Sequence, residues 1–163
     1  RRQAAHVLGK LADPRAVGAL AALLEDPASE VAENAAFGLG RIGGPDAVSA
    51  LVGSLGSGGS VLRATVVTAL TTLGEQAIDP VLARLSAPSA LTRADAAEVV
   101  GAIGDASAVA DLAPLVADPE EDVRITVLMA LGSLGGAAAQ AAIGAAVDAG
   151  GRTGSLARRL AGA

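Results

Sequence analysis

The sequence lacks several residue types on which whole classes of functional site depend. It has no cysteine, which excludes disulfide bonds and thiolate metal ligands and leaves the redox compartment undetermined. Trp and Tyr are absent and Phe37 is the only aromatic residue, so that a core must be built from Ala, Leu, Val and Ile. His6 is the only histidine, and a metal site made of clustered imidazoles is therefore excluded as well.

Positive charge and long apolar runs are also scarce. The net charge is −5 at neutral pH, which opposes general affinity for a phosphate backbone. No apolar run reaches about 18 residues, and no basic segment followed by an apolar one opens the chain. We therefore expect a cytoplasmic protein that binds neither membrane nor nucleic acid. Because the chain begins at Arg1 and not at Met, we also expect that more chain precedes it.

A short motif recurs along the chain with a nearly constant period. Leu8-Gly9 returns as Leu39-Gly40, Val100-Gly101 and Leu131-Gly132, while the third copy reads Leu70-Thr71; the spacings are 31, 31, 30 and 31 residues. A period of this length is the signature of a repeat architecture. It predicts five copies, at about 1–30, 31–61, 62–91, 92–122 and 123–153, followed by a terminal cap or partial repeat over 154–163.

Each copy contains two stretches of helical periodicity. In copy two, Val31, Ala35, Leu39 and Ile42 share one helical face, and Val48, Leu51 and Leu55 form a second apolar stripe. Gly or Asp-Pro breaks separate the stripes near residues 12–14, 43–45, 74–76, 104–106 and 135–137, where glycine caps and proline starts suit helix ends. Ten helices are predicted, a first helix A and a second helix B in each copy.

These repeats resemble HEAT repeats, in the short bacterial form of phycobilin-lyase-type subunits. The closest matches to the family pattern are Arg1-Arg2-Gln3-Ala4-Ala5-His6-Val7-Leu8-Gly9-Lys10-Leu11 and Asp13-Pro14-Arg15-Ala16-Val17-Gly18-Ala19-Leu20. The resemblance covers nearly the whole chain and implies an all-α, right-handed α-solenoid. It says little about function, because such repeats serve many partners.

Three places depart from the repeat. In copy three, Asp79 replaces an apolar residue, which predicts that helix B starts late, with Asp79 as its cap and Pro80 in its first turn. Pro114 falls inside helix B of copy four and should kink it. In the tail, an alignment on Gly162 would put Arg158 and Arg159 in buried columns, so that this segment fits the repeat poorly.

One charged column runs through the first helices. It holds Arg1, Arg63, Arg93 and Arg124, with Ala32 in copy two, and Asp26 and Asp118 share a second column just before a helix A. By resemblance to HEAT repeats these residues form a ladder between repeats, in which each Arg reaches a carboxylate and turn carbonyls. The alternative is a clamp for an anion or a phosphopeptide.

No pattern of catalytic or metal-binding residues emerges. His6 has no partner at a meaningful spacing, and no nucleophile elbow or phosphate-binding loop occurs. The acidic run Asp118, Glu120, Glu121 and Asp122 resembles a helix start more than a carboxylate metal site. We expect no enzyme activity, no cofactor and no bound metal.

Contact sites are predicted from the helical faces that point away from the core. On the first helices that pole holds His6, Phe37, Thr68, Glu98 and Met129, with Arg41 near Phe37. On the second helices it is nearly bare, apart from Arg84 with Arg15 and Asp46 nearby. Such a face either lets another helix approach closely or belongs to a spacer. We expect Phe37 to be covered by a partner, by a missing segment or by a symmetry-related copy, or to be folded sideways onto the neighbouring helix A.

The sequence therefore favours a non-catalytic scaffold for protein interaction or assembly, with a partner of unknown identity or further repeats of the same chain. An accessory or chaperone-like subunit of a bilin-lyase-type enzyme is the alternative. A nucleic-acid-binding solenoid is a third hypothesis, which the acidic charge and the lack of aromatic wedges disfavour.

Overall fold

The computed structural model describes residues 1–162, and these fold into α-helices and short 3-10 segments without any strand. The α-helices are α1 Arg2–Leu11, α2 Val17–Leu23, α3 Ser29–Ile42, α4 Gly44–Gly53, α5 Ser60–Leu73, α6 Glu75–Leu82, α7 Ala90–Ile103, α8 Val109–Leu112, α9 Glu121–Leu134, α10 Gly136–Ala145 and α11 Gly151–Ala161. The 3-10 segments are Pro14–Ala16, Ala83–Ser86, Ala106–Ala108 and Ala113–Ala117. The all-α prediction is confirmed, with one helix more than the ten predicted over the described residues.

The turns within the predicted copies lie where the sequence breaks. Gly43 and Gly135 end α3 and α9 with φ near 68°, a conformation that glycine adopts without the steric cost of a Cβ. At the first turn, Ala12 takes φ 50° and is the only described non-glycine residue with a positive φ. Asp13 then caps the next segment through its side chain, which accepts a hydrogen bond from the Arg15 amide.

The described residues cluster into two compact units, one spanning Arg1–Val81 and one that begins at Leu82. In the first unit α3 packs between α1 and α5, and α2 and α4 cover these helices; Leu20, Leu39, Leu51 and Leu70 are fully buried. In the second unit α9 packs between α7 and α11; Leu112, Leu128, Leu131 and Ile143 are fully buried. Aliphatic side chains thus supply both cores, as the composition predicts.

The recurring glycine marks where neighbouring first helices touch. A Cβ placed on Gly9 would lie 2.9 Å from the Cα of Gly38, and one on Gly101 would lie 2.6 Å from the Cβ of Ala130. No larger side chain fits at such a crossing without moving a backbone. The Leu-Gly motif is therefore a packing requirement of adjacent repeats.

Of the two departures expected in second helices, one is wrong. The late start of helix B in copy three is wrong, because α6 begins at Glu75 and contains Pro80. Gly74 ends α5 and leads directly into α6, since the amide of Ala77 already donates to the Gly74 carbonyl (2.9 Å). At Pro114 the helix changes from α8 to the 3-10 segment Ala113–Ala117, consistent with the loss of a backbone donor.

The two ends of the described chain also correct the expectations. The tail forms a regular helix, α11, in which Arg158 and Arg159 are exposed and do not take the buried positions that the alignment on Gly162 would give them. In α1, Ala4 is exposed and Leu11 is 68% exposed, although their columns are predicted to be core. α1 packs against α2 and α3, which bury Ala5 and Gly9 instead.

Candidate functional site

A largely enclosed polar site in the second unit is an Arg–Asp pair at a turn. Arg93 donates from Nε and Nη2 to the two carboxylate oxygens of Asp118, at 2.7 and 2.9 Å. Its Nη1 donates to the carbonyls of Ala87 and Pro88, at 2.9 and 3.0 Å. The side chains are only 12% and 5% exposed. A planar guanidinium thus joins two turns in one set of fixed hydrogen bonds.

This pairing sets the charge state of Asp118. Burial alone would raise the pKa of the Asp118 carboxyl, but hydrogen bonds from Arg93 and from the Glu120 amide, with the nearby positive charges of Arg93 and Arg124, lower it overall. In turn, the hydrogen bond to Asp118 raises the pKa of Arg93. Both groups are therefore held in their charged forms.

Arg124 binds the same turn from the other side. Its Nη1 donates to the carbonyls of Asp118 and Pro119, at 2.6 and 3.0 Å, and its Nε donates to the Thr153 hydroxyl at 3.2 Å. The turn at Asp118 is therefore contacted by two guanidinium groups. Among the described residues, no carboxylate accepts a hydrogen bond from Arg124, although a carboxylate partner was expected for every arginine of the ladder.

The first turn of the same kind has one guanidinium. Arg1 lies 2.7 Å through its Nε from the Asp26 carboxylate, and Asp26 also accepts from the Ala28 amide at 2.9 Å. Arg1 is 65% exposed whereas Asp26 is 5% exposed. Ala32 occupies the place of Arg124 in this copy. Arg63 is half-buried at the fourth residue of α5, in the same column.

A groove lies beside Phe37 on the outer side of α3 and α5. It has a volume of about 620 Å³ and is lined by Phe37, Gly40, Arg41, Val61, Ala64, Thr65, Thr68, Ala69 and Thr72. Phe37 is 52% exposed and Val61 is 60% exposed. The groove brings Phe37, Arg41 and Thr68 together, as the helical columns indicate, and Val61 was not foreseen.

The threonine side of this groove is less polar than its composition suggests. The hydroxyls of Thr65, Thr68 and Thr72 donate to the carbonyls four residues earlier in α5, at 2.9, 2.8 and 2.8 Å. With its hydroxyl bound to the backbone, each threonine offers mainly its methyl group to a ligand. The Val61-Thr65-Thr68-Thr72 spacing was the available signal, because these residues share one helical face.

The remaining predicted contact residues do not form one site. His6 is exposed on α1, Asp46 is exposed in the first turn of α4, and Arg84 is half-buried with its Nε buried and without a hydrogen bond among the described residues. Arg15 is exposed but bound to Asp13, to which it donates at 2.6 to 3.1 Å. That bond lowers the pKa of Asp13.

The outward face of the second helices is smooth. Gly18, Ser49, Pro80, Ala110 and Ala141 are all exposed, as the columns predict.

The acidic run behaves as the start of a helix: Arg152 contacts Glu121 and Asp122 at 3.0 and 2.8 Å, and this lowers the pKa of Glu121. Arg152 was missed, although it lies one repeat length from Glu121. No group of metal-ligand side chains occurs within residues 1–162, and no described helix is long and apolar enough to cross a bilayer.

Comparisons with known proteins agree with this architecture. A sequence model described as HEAT repeats matches residues 1–77 and 78–157. No curated protein sequence is significantly similar to the chain. Similar solved structures include human deoxyhypusine hydroxylase in complex with glycerol, with 26% identity, a TM-score of 0.55, and coverage of 99% of this chain and 67% of that chain.

Two further structures share the fold. A structure of crescerin, which uses a TOG domain array to regulate microtubules in the primary cilium, has a TM-score of 0.72 at 18% identity, and the match covers 99% of this chain and 84% of that chain. The CpcE–CpcF complex of phycocyanin lyase from a Nostoc species has a TM-score of 0.52 at 24% identity, with coverage of 98% and 68%. These likenesses place the chain among all-α solenoids.

Proposed function

The chain belongs to the HEAT-repeat family, and we propose that it is a non-catalytic scaffold that binds a protein partner through the groove beside Phe37. One observation carries this proposal: the only aromatic side chain of the sequence lies half-exposed in the wall of an open groove. Aromatic side chains supply a large contact area at low entropic cost, and they are enriched at interfaces.

The groove has the makeup of a small protein contact. Phe37 and Val61 provide apolar surface, the threonine methyls extend it, and Arg41 supplies a charge at its edge. Interfaces commonly combine an apolar centre with a polar rim. The enclosed carboxylates described above are each bound to an arginine, which does not favour a role in acid–base chemistry. We extend the proposal to a protein without enzyme activity and with a cytoplasmic location.

The alternative is an accessory subunit of a bilin-lyase-type enzyme. It is supported by the likeness to the CpcE–CpcF complex, which at 24% identity concerns the fold alone. Absorbance of a bound tetrapyrrole in the purified protein would favour this alternative over a simple scaffold.

The test compares Phe37→Ala with Met129→Ala. Both residues occupy the outer pole of a first helix, and both are more than half exposed, at 52% and 61%. A tagged chain is used to capture partners, which are identified by mass spectrometry and then titrated as purified proteins. We expect Phe37→Ala to weaken binding at least tenfold with an almost unchanged melting temperature, and Met129→Ala to bind as the unaltered chain does.

Equal binding by all three proteins would contradict the proposed contact site. Self-association is measured by sedimentation on the same samples, because a second copy of this chain is one partner that the groove can accept. A loss of about 3 kcal/mol or more in the free energy of unfolding of Phe37→Ala would instead identify Phe37 as a core residue.

A further inference from the structure

A second groove lies at the Asp26-Pro27 turn. Its volume is about 470 Å³, and its walls are the end of α2, the turn, the start of α3 and the loop before α5. Its lining includes Glu25, Asp26, Pro27, Ala32, Glu33 and Val61. The equivalent turns elsewhere in the chain indicate which kind of group this groove can bind.

At two equivalent turns, an arginine side chain of the chain itself binds the backbone carbonyls. Arg93 and Arg124 are each the fourth residue of their helix, and each donates from Nη1 to the carbonyls six and five residues earlier. The four distances range from 2.6 to 3.0 Å. The pattern is therefore a repeated guanidinium site made from backbone carbonyls.

In α3 the fourth residue is Ala32, which has no donor. The carbonyls six and five residues earlier belong to Asp26 and Pro27, and neither accepts a hydrogen bond from any of the described residues. Both residues line the groove. The acceptors of the guanidinium site are thus present in this copy, beside an open space, while its arginine is not encoded.

The charges around the groove favour a cation. Glu25, Asp26 and Glu33 are among the lining residues, and neither Lys nor Arg is. Arg1 contacts Asp26 but is not part of the lining. An anion clamp at this turn is therefore disfavoured on electrostatic grounds. Two adjacent carbonyls and a carboxylate suit a guanidinium better than an ammonium, because its planar array of N–H groups reaches several acceptors at once.

We propose that this groove binds an arginine side chain of a protein partner, which takes the place that Arg124 holds at the equivalent turn. Val61 lines both this groove and the groove beside Phe37, so that one partner can occupy both. In naming a protein as the source of the arginine, the inference rests on the proposed function. Recognition of the guanidinium itself is independent of it and is tested separately.

The probe is N-acetyl-arginine amide, titrated into the isotope-labelled chain while backbone amide shifts are followed by NMR. N-acetyl-lysine amide is the matched probe with the same charge. We expect saturable shifts at Ala28, Ser29 and Glu33 with the arginine probe, and binding at least fivefold weaker with the lysine probe. The absence of shifts at these residues, or equal binding of the two probes, would overturn the proposal.

Substitutions at the two turns sharpen this test. Ala32→Arg should fill the site from within the chain and abolish binding of the probe, whereas Ala110→Arg adds the same charge at an exposed position and should leave binding intact. Arg124→Ala should open the equivalent site and add shifts at Glu120 and Glu121. Unchanged binding to Ala32→Arg would overturn the proposal.

Because Ala32 is only 2% exposed, a larger residue there can prevent folding. Glu33→Gln then provides the decisive variant, since it removes one charge of the lining with little change of shape. We expect its binding of the arginine probe to fall about threefold or more, and unchanged binding would count against the site. If the probe fails to bind while Phe37→Ala still weakens partner binding, the scaffold proposal stands and this one fails.

Discussion

The turns at Asp26-Pro27 and Asp118-Pro119 hold the same aspartate contacts, but the arginines around them differ. At both, an aspartate 5% exposed accepts an amide hydrogen bond of 2.9 Å from the residue two positions on, and an arginine 25 residues earlier contacts its carboxylate at 2.7 Å. Yet Arg93 is 12% exposed and Arg1 is 65% exposed. Identical spacing therefore produces an enclosed pair in one place and a solvated pair in the other.

The difference lies in the surroundings of the guanidinium. Arg93 also donates to two carbonyls, and Arg124 contacts the other side of the same turn, whereas the described contacts of the Arg1 guanidinium are to Asp26 alone. Removing one partner from a buried, hydrogen-bonded pair leaves unpaired charge and acceptors, while an exposed pair exchanges one set of hydrogen bonds for another with water. The two pairs should consequently differ in their contribution to stability.

The largest effect is expected from Arg93→Ala. The substitution leaves the Asp118 carboxylate and the carbonyls of Ala87 and Pro88 without their charged donor, and should lower the free energy of unfolding by about 1–3 kcal/mol. Urea unfolding followed by circular dichroism measures this. Arg93→Lys serves as a control that keeps the positive charge but loses the planar guanidinium. Its free energy of unfolding should lie between those of the unaltered chain and Arg93→Ala. Unchanged stability together with lost partner binding would favour the anion-clamp interpretation.

Helix positions and exposed faces could be predicted from the sequence, whereas contacts between helices could not. The Leu-Gly spacing predicts the repeat because in most copies the glycine lies where a neighbouring first helix crosses, as Gly101 does at Ala130. Columns also predict the exposed position of Phe37, since a helix fixes which way each residue points. What lies next to that residue depends on packing: Val61 belongs to α5, and the spacing along α5 does not show that it lies beside Phe37.

Other predictions were wrong or incomplete because of local features of the structure. The start of α6 was misjudged because Pro80 is accommodated inside a short helix, while the proline rules favour an early position. The exposed Leu11 was assigned to the core because a column describes an average repeat and not the neighbours of one copy. The groove at Ala32 was noticed only as a gap in the arginine column. Its acceptors are backbone carbonyls, which every residue has, so that composition gives no sign of them.

The second-largest effect is expected from acid, which should reduce the contribution of Asp118 to stability. Because the pKa of Asp118 is lower in the folded chain than its ordinary value, this carboxylate contributes stability above its unfolded pKa, near 3.9, and the contribution is lost as pH falls through the folded pKa. We expect the decline of stability below about pH 5 to be shallower in Asp118→Asn than in the unaltered chain. Urea unfolding measured from pH 7 to pH 3 tests this.

The pKa values of Asp13, Asp105 and Glu121 are lowered as well, by bonds from Arg15, Ser107 and Arg152. These groups remain in both proteins, so that the difference between the two curves isolates Asp118. Parallel curves over the whole range would show that Asp118 does not contribute in this way, in spite of its close contact with Arg93.

The smallest effect is expected from Arg1→Ala, which completes the comparison. Asp26 keeps its bond from the Ala28 amide in this variant, and water can reach the place that the exposed guanidinium leaves. Exposed ion pairs contribute about 0.2–1 kcal/mol, and salt screens them further. We therefore expect a loss at the lower end of that range at low ionic strength and none measurable in about 0.5 M salt. Arg93→Ala should keep most of its effect at the same salt concentration, because its pair is shielded from solvent. If Arg1→Ala destabilises the chain as much as Arg93→Ala does, exposure is not what distinguishes the two turns, and the 5% exposed Asp26 carboxylate depends on Arg1 as strongly as Asp118 depends on Arg93.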